Sequence, residues 1–221
     1  MKKYTALMLL SFMMLFSSCY YERYTLRGEG ETISETRDLP AFRGFEANGD
    51  IRVEVYPATR NRVVVTGYQN LVREFETDVN SGLLRLQFDD EYRNIRNNNI
   101  VIRLYTSSLE SVYLNGSGDV KVHAGQEGER IEAIVNGSGV VDLGDNVYYE
   151  ADLKVNGSGY INSRGVEADD VYAEISGSGN MDLTARRYLF GRVYGSGTIN
   201  YWGNPAEQNV SVSGSGRIRK K

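Results

Sequence analysis

Val155–Asn162 reads VNGSGYIN, two glycines around a serine between short apolar runs. Gly-Ser-Gly occurs six times, starting at Gly116, Gly137, Gly157, Gly177, Gly195 and Gly214, at intervals of 21, 20, 20, 18 and 19 residues. Such a period marks a repeat architecture in which each unit buries its apolar face against the next. Two positions before the first glycine stand Leu114, Val135, Val155, Ile175, Val193 and Val212; four positions after it stand Val120, Val141, Ile161, Met181, Ile199 and Ile218. Four positions before it the residues are small or apolar, from Val112 to Val210. Alternation at period two means strand, with one parity facing a core. That parity runs unbroken through the motif. Both glycines of each unit therefore read as inward corners and the serine as outward: Gly116 and Gly118, Gly137 and Gly139, Gly157 and Gly159, Gly177 and Gly179, Gly195 and Gly197, Gly214 and Gly216. Glycine suits a corner where a side chain would crowd the bend.

Two strands per twenty residues without helical periodicity make one coil of a parallel β-solenoid. The alternative is an antiparallel meander closed into a barrel or prism. With 24 glycines, 16 tyrosines and only 3 prolines in 221 residues, the composition is one of strands and turns. Residues 39–108 carry a looser version. Phe45, Ala47, Gly49, Ile51, Val53 and Val55 share one parity, and further strands are expected at Val63–Val65, Leu84–Phe88 and Ile100–Leu104. Asn80–Gly82 reads as a turn and Asp89–Asn99 as an exposed loop. The expected organisation is therefore irregular first coils over 39–108 and six GSG repeats over 109–221.

The chain opens with MKKYTALMLLSFMMLFSSC: two lysines, an apolar run from Ala6 to Phe16, two serines and the only cysteine, Cys19. This has the shape of an export signal over residues 1–18, and Ser-Ser-Cys looks like a bacterial lipobox whose cysteine is acylated after cleavage. The competing reading of Cys19 is a spare thiol in an uncleaved helix. Acylation supplies more than one buried chain, as stable anchoring requires. Residues 19–38 are polar without a sustained period and read as a flexible tether. Without the signal, 23 basic residues face 29 acidic ones, which argues against a nucleic-acid partner. A single cysteine permits neither a disulfide within the chain nor a thiolate metal site.

The repeated GSG units, the segment GDIRVEV (Gly49–Val55), and the strings GSGDV, GSGYIN and GSGTIN resemble the family called "putative auto-transporter adhesin, head GIN domain". The resemblance spans roughly Leu39–Arg219. It implies a right-handed parallel β-helix-like domain on exported lipoproteins of Bacteroidota, with no catalytic residues to carry over.

Chemistry finds little support in the motifs. A nucleophile elbow needs G-x-S-x-G with histidine and acid partners, and one histidine, His123, cannot serve six serines. His123 reads as a surface residue at a strand end. No Walker-type phosphate loop occurs, and calcium-binding nonapeptide repeats have another period. No cofactor or metal is expected. One acidic row remains: five positions after the first glycine stand Lys121, Asp142, Asn162, Asp182, Asn200 and Arg219. Asp142 and Asp182, two coils apart, would lie about 9.6 Å from each other, at the edge of inverting-glycosidase geometry. Outward aromatics form the other candidate surface: Tyr113, Tyr160, Tyr172, Tyr194 and Trp202. Such rings stack on sugars, anchor protein contacts, or simply fill a pleated face.

The reading is thus a lipid-anchored β-solenoid of the bacterial envelope, expected at the outer membrane. It acts as a binding, adhesion or scaffolding module toward a glycan or envelope protein. The alternatives are a carbohydrate-active enzyme using Asp142 and Asp182, and a purely structural role.

Overall fold

A computed structural model describes residues 24–221, and Cys19 and the export signal lie outside the described residues. Of the described residues 66% are strand and 3% helix, with stacked parallel coils forming a β-solenoid of about six turns. The strands of the N-terminal half are β1 (Tyr24–Arg27), β2 (Thr32–Arg37), β3 (Gly44–Asn48), β4 (Arg52–Pro57), β5 (Arg62–Tyr68), β6 (Phe75–Asn80), β7 (Leu83–Phe88), β8 (Tyr92–Arg96) and β9 (Val101–Thr106). In the repeat region each coil is a long strand, the GSG corner, a short strand and a turn. The long strands are β10 (Ser111–Gly116), β12 (Glu127–Gly137), β14 (Val147–Gly157), β16 (Glu167–Gly177), β18 (Tyr188–Gly195) and β20 (Glu207–Gly214). The short ones are β11 (Asp119–Val122), β13 (Val140–Asp142), β15 (Tyr160–Ser163), β17 (Asn180–Thr184), β19 (Thr198–Trp202) and β21 (Arg217–Lys220).

Two large sheets result. The nine-stranded one runs β20-β18-β16-β14-β12-β10-β3-β7-β6, the ten-stranded one β2-β5-β9-β4-β11-β13-β15-β17-β19-β21. Pairing between successive GSG units is parallel and in step with the repeat, with Gly116↔Gly137, Gly137↔Gly157 and Gly157↔Gly177 as partners. This register rules out the meander, in which like positions would not neighbour one another. The apolar columns stack inside: Leu114, Val135, Val155, Ile175 and Val193 on one wall, and Val120, Val141, Ile161, Met181 and Ile199 on the other, are all buried. Each such side chain contributes about 1.5–3 kcal/mol by leaving water. The last coil departs from the pattern, because nothing stacks beyond it among the described residues: Val210 and Val212 are 44% and 43% exposed.

The reading of every motif glycine as an inward corner needs a correction. Only the first of each pair makes the turn: Gly116, Gly137, Gly157, Gly177, Gly195 and Gly214 are left-handed, with φ between +123° and +136°, and none of them is buried. They turn along the stack rather than inward. A Cβ on Gly157 would stand 2.5 Å from the carbonyl oxygen of Gly137 in the coil before it. The second glycines, Gly118, Gly139, Gly159, Gly179, Gly197 and Gly216, have no positive φ and so are not the bend itself. The first five of them are buried, whereas Gly216 is only half-buried, because no further coil among the described residues covers it. Close approach, and not backbone angle, excludes a side chain there. A Cβ on Gly118 would meet the Ile51 carbonyl oxygen at 2.3 Å, and one on Gly197 the Gly179 carbonyl oxygen at 2.6 Å. On Gly139, Gly159 and Gly216 it would strike the side chains of Leu114, Val135 and Val193, each at 2.5 Å.

The N-terminal half is built differently. β3 and β4 form a first coil in register with β10 and β11, its corner at Gly49. Above it the chain leaves the parallel scheme. β5 runs antiparallel to both β2 and β9, and β6 and β7 make a hairpin whose turn holds Ser81 and Gly82 at positive φ. A helix of little more than one turn, α1 (Gln69–Glu74), buries Leu71 and Val72 against this cap; its two apolar residues give no readable period.

Two polar stretches belong to the cap. Tyr24–Arg37, within the segment read as tether, holds β1 and β2; β1 pairs with β8, which lies in the segment read as an exposed loop. β2 is an edge strand, so its hold comes from polar groups. Arg37 donates to the carbonyls of Phe75 (2.6 Å) and Val72 (2.8 Å) and to the Thr77 hydroxyl (3.0 Å). A guanidinium can satisfy several acceptors at once, and hydropathy patterning does not register it.

Candidate functional site

The GSG corner offers no chemistry. The carbonyl of Gly157 accepts the backbone N–H groups of both Ser178 (2.8 Å) and Gly179 (3.0 Å) from the next coil. The amides of Ser138, Gly139, Ser158, Ser178, Gly179, Ser196 and Gly197, of the kind that would cradle a phosphate or an oxyanion, are likewise bonded within the stack.

The acidic row is a ladder. Asp142, Asn162, Asp182 and Asn200 are successive partners on β13, β15, β17 and β19. Asn162 donates to Asp142 at 3.1 Å and Asn200 to Asp182 at 2.8 Å. Asn162 thus occupies the gap between the two aspartates in which a water and a sugar would have to sit. Tyr160 donates its hydroxyl to Asp182 at 3.0 Å, and its own pKa is pushed up to about 12 by desolvation and then by that carboxylate. A second ladder runs beside the corner on the nine-stranded sheet. Asn115 donates to Asn48, Asn136 to Asn115 and Asn156 to Asn136, each at 2.8 Å.

The five outward aromatics divide between two faces. Tyr160 and Trp202 lie on the ten-stranded sheet, where Arg164 stacks over the Trp202 ring at 4.4 Å. Tyr113 lies on β10, its hydroxyl held by Glu132. Only Tyr172 and Tyr194 fall in one neighbourhood, the outer surface of β16 and β18, and there three unanticipated side chains join them. Tyr172 lies against Tyr188 (centroids 5.8 Å apart) and Phe190 (6.1 Å), Arg192 covers Phe190 at 4.6 Å, and Arg192 reaches the Tyr194 hydroxyl at 3.4 Å. The 36% exposed Tyr172 and 45% exposed Tyr194 bracket this aromatic and cationic patch. Its border is polar: Arg187 pairs with Asp170 and donates to the Tyr149 hydroxyl at 2.8 Å. Desolvation, followed by Glu150 and Asp170, raises the Tyr172 pKa above the ordinary phenol value. A signal for the missed residues exists. Phe190 and Tyr172 both stand five positions before a first glycine, in successive units, and so stack as cross-strand partners.

His123 is not a free surface side chain. Its ring stacks on Tyr56 at 4.1 Å, Tyr56 stacks on Tyr105 at 5.4 Å, and Arg62 covers Tyr105 at 4.0 Å. Among the described residues no group of three or more His, Cys, Asp or Glu side chains is arranged to hold a metal ion, and no helix is long and apolar enough to cross a membrane.

Comparison with known proteins places this geometry. Residues 41–151 and 127–205 match the family model "Putative auto-transporter adhesin, head GIN domain". A comparison with curated proteins finds no match. Among solved structures, a "putative adhesin" from Bacteroides fragilis is similar over 89% of this chain and 100% of its own, at 21% identity and a TM-score of 0.72. A "Putative lipid binding protein" from Parabacteroides distasonis is similar over 90% and 100%, at 20% identity and a TM-score of 0.68. A "putative adhesin" from Parabacteroides merdae is similar over 89% and 99%, at 17% identity and a TM-score of 0.60. At these identities the structures share the fold. The family match covers most of the chain, and this protein belongs to the head GIN domain family of "Putative auto-transporter adhesin" proteins.

Proposed function

We propose that this protein is a non-catalytic, adhesion-like binding module, exported and held at the outer membrane by an acylated Cys19, with the patch on β16 and β18 as its recognition surface. The carrying observation is the contiguity of Tyr172, Tyr188, Phe190, Arg192 and Tyr194 on a rigid parallel sheet. Aromatic faces edged by charged hydrogen-bonding groups are suited to sugar rings and to protein hot spots. The family's adhesin name and the lipid-binding name of the Parabacteroides distasonis structure support a binding role. The basic-apolar-SSC start of the sequence supports the anchor. The engaged carboxylates of Asp142 and Asp182 speak against hydrolysis.

The test is binding of the full chain in detergent to arrayed bacterial envelope and host glycans. Saturable binding, lost in a Tyr172→Ala/Phe190→Ala variant with unchanged circular dichroism, is the expected result. Time-dependent glycan cleavage abolished by Asp182→Asn would replace this reading with the enzymatic one. For the anchor, Cys19→Ser is expected to release the protein from membranes.

A further inference from the structure

β12 is covered unevenly by its neighbours. β14 pairs with it from Glu127 onward, through Glu127↔Val147 and Gly128↔Tyr148, whereas β10 reaches it only from Ser111↔Glu132. Among the described residues no strand pairs with Glu127–Ile131 on the β10 side. The cause lies in the preceding coil, where four residues carry the chain from Thr106 at the end of β9 to Ser111 at the start of β10. That coil cuts the corner, so this part of the wall begins at β12 as a ledge in mid-molecule.

Buried or paired backbone is the rule in a sheet, and an open strand edge is a template for another strand. Two shallow grooves meet on this ledge. One is lined by Ser108, Glu110, Gly128, Glu129, Arg130 and Glu132, the other by Glu127, Gly128, Glu129 and Tyr149. Gly128 lies at their junction, where the space that a Cβ would take is filled by the Tyr148 ring, 3.1 Å away, so the ledge is open along its main-chain edge and not at this side-chain position.

The charges on the ledge choose the occupant. Arg130 is drawn toward β14, to Glu150 at 3.4 Å and Asp152 at 3.0 Å, and Glu110 is paired with Arg43 at 3.1 Å. Glu127 and Glu129 are exposed and make no ion pair among the described residues. Tyr148, the partner of Gly128, is buried while its neighbours Val147 and Tyr149 are exposed, so Glu127 and Glu129 face outward with them, and the alternation shifts by one before Ile131, which is buried. We infer that the Glu127–Ile131 edge takes up an extended basic peptide as an added strand, its every second side chain a lysine or arginine set beside Glu127 and Glu129. Main-chain hydrogen bonds supply the attraction and the two carboxylates the selectivity, the division of labour of β-strand addition. The ledge adjoins the border of the aromatic patch at Tyr149 but uses none of Tyr172, Tyr188, Phe190, Arg192 or Tyr194, and the proposal does not depend on what that patch binds.

The test is fluorescence anisotropy of the full chain in detergent with a labelled alternating lysine–threonine heptapeptide and its glutamate–threonine counterpart. The basic peptide is expected to bind saturably and at least tenfold tighter than the acidic one. Affinity falls at least tenfold in Glu127→Lys/Glu129→Lys, whose exposed positions leave the thermal midpoint unchanged, and persists in Tyr172→Ala/Phe190→Ala. Of two peptides N-methylated along one edge or the other, one loses binding. Absence of saturable binding, equal binding of both charge types, retention by both N-methylated forms, or loss in the patch variant would each overturn the proposal.

Discussion

The side-chain amide of Asn136 donates to Oδ1 of Asn115 at 2.8 Å, one coil earlier in the stack, while its own oxygen accepts the amide of Asn156 at 2.8 Å. Each interior asparagine of the column thereby bonds in both directions along the axis. The ladder extends to Asn48 at the first coil, tying the cap to the repeats across the same face.

Asn136→Ala removes two rungs and leaves Asn115 without its donor. About 1–2 kcal/mol of stability should be lost, measured by urea denaturation. Asn156→Ala, which breaks only the rung to Asn136, should cost less than Asn136→Ala; a larger cost would mean that the ladder does not act through these bonds.

The corners are expected to be intolerant in a position-dependent way. At Gly157, alanine would have to hold φ near +126° with its Cβ against the Gly137 carbonyl, so Gly157→Ala should cost more than about 2 kcal/mol. Ser158→Ala, at the exposed tip between the glycines, should change stability by no more than about 0.5 kcal/mol. Thermal melts of the two variants check both.

Tyr148 reaches past Gly128 of the adjacent coil, and its hydroxyl donates to the Leu109 carbonyl at 3.1 Å while the residue is 4% exposed. Burial raises its pKa strongly. Tyr148→Phe preserves the packing but orphans a buried carbonyl, and should cost about 1–2 kcal/mol in the same denaturation experiment.

Tyr160 gives the expected pH dependence. Its folded pKa, about 12, lies above the ordinary phenol value of 10.0, so the folded state retains a proton that the unfolded chain gives up. The resulting stability is present below pH 10 and is lost as pH rises toward 12. Tyr160→Phe should shrink the loss of melting temperature between those limits, and should remove one late step from the tyrosinate absorbance titration.

Much of this molecule is legible in the chain alone. Its period, its inward columns, the Phe45–Val55 segment as a strand pair and the Asn80–Gly82 turn all follow from alternation and turn chemistry, because a side chain's face in a strand depends only on parity. Parity fails at the first glycine of each unit, where a left-handed φ turns the residue along the stack, and at Gly216, which no further coil among the described residues covers. It fails again at β1, β2 and β8, edge strands held by pairing and by Arg37 instead of apolar burial. It says nothing of neighbours: Asp142 and Asp182 are one row in the sequence, and only the interposed amide of Asn162 shows that row to be a ladder. The aromatics follow the same rule. Their outward direction is written in the chain, but that Tyr172 and Tyr194 meet Phe190 and Arg192, while Tyr160 and Trp202 face another sheet, depends on the order in which coils stack. The ledge at Glu127 arises likewise from one coil being shorter than the next. The sequence by itself determined the repeat and the inside of the solenoid; the tertiary structure decided which outward groups share a surface, because adjacency between coils is a contact about twenty residues apart.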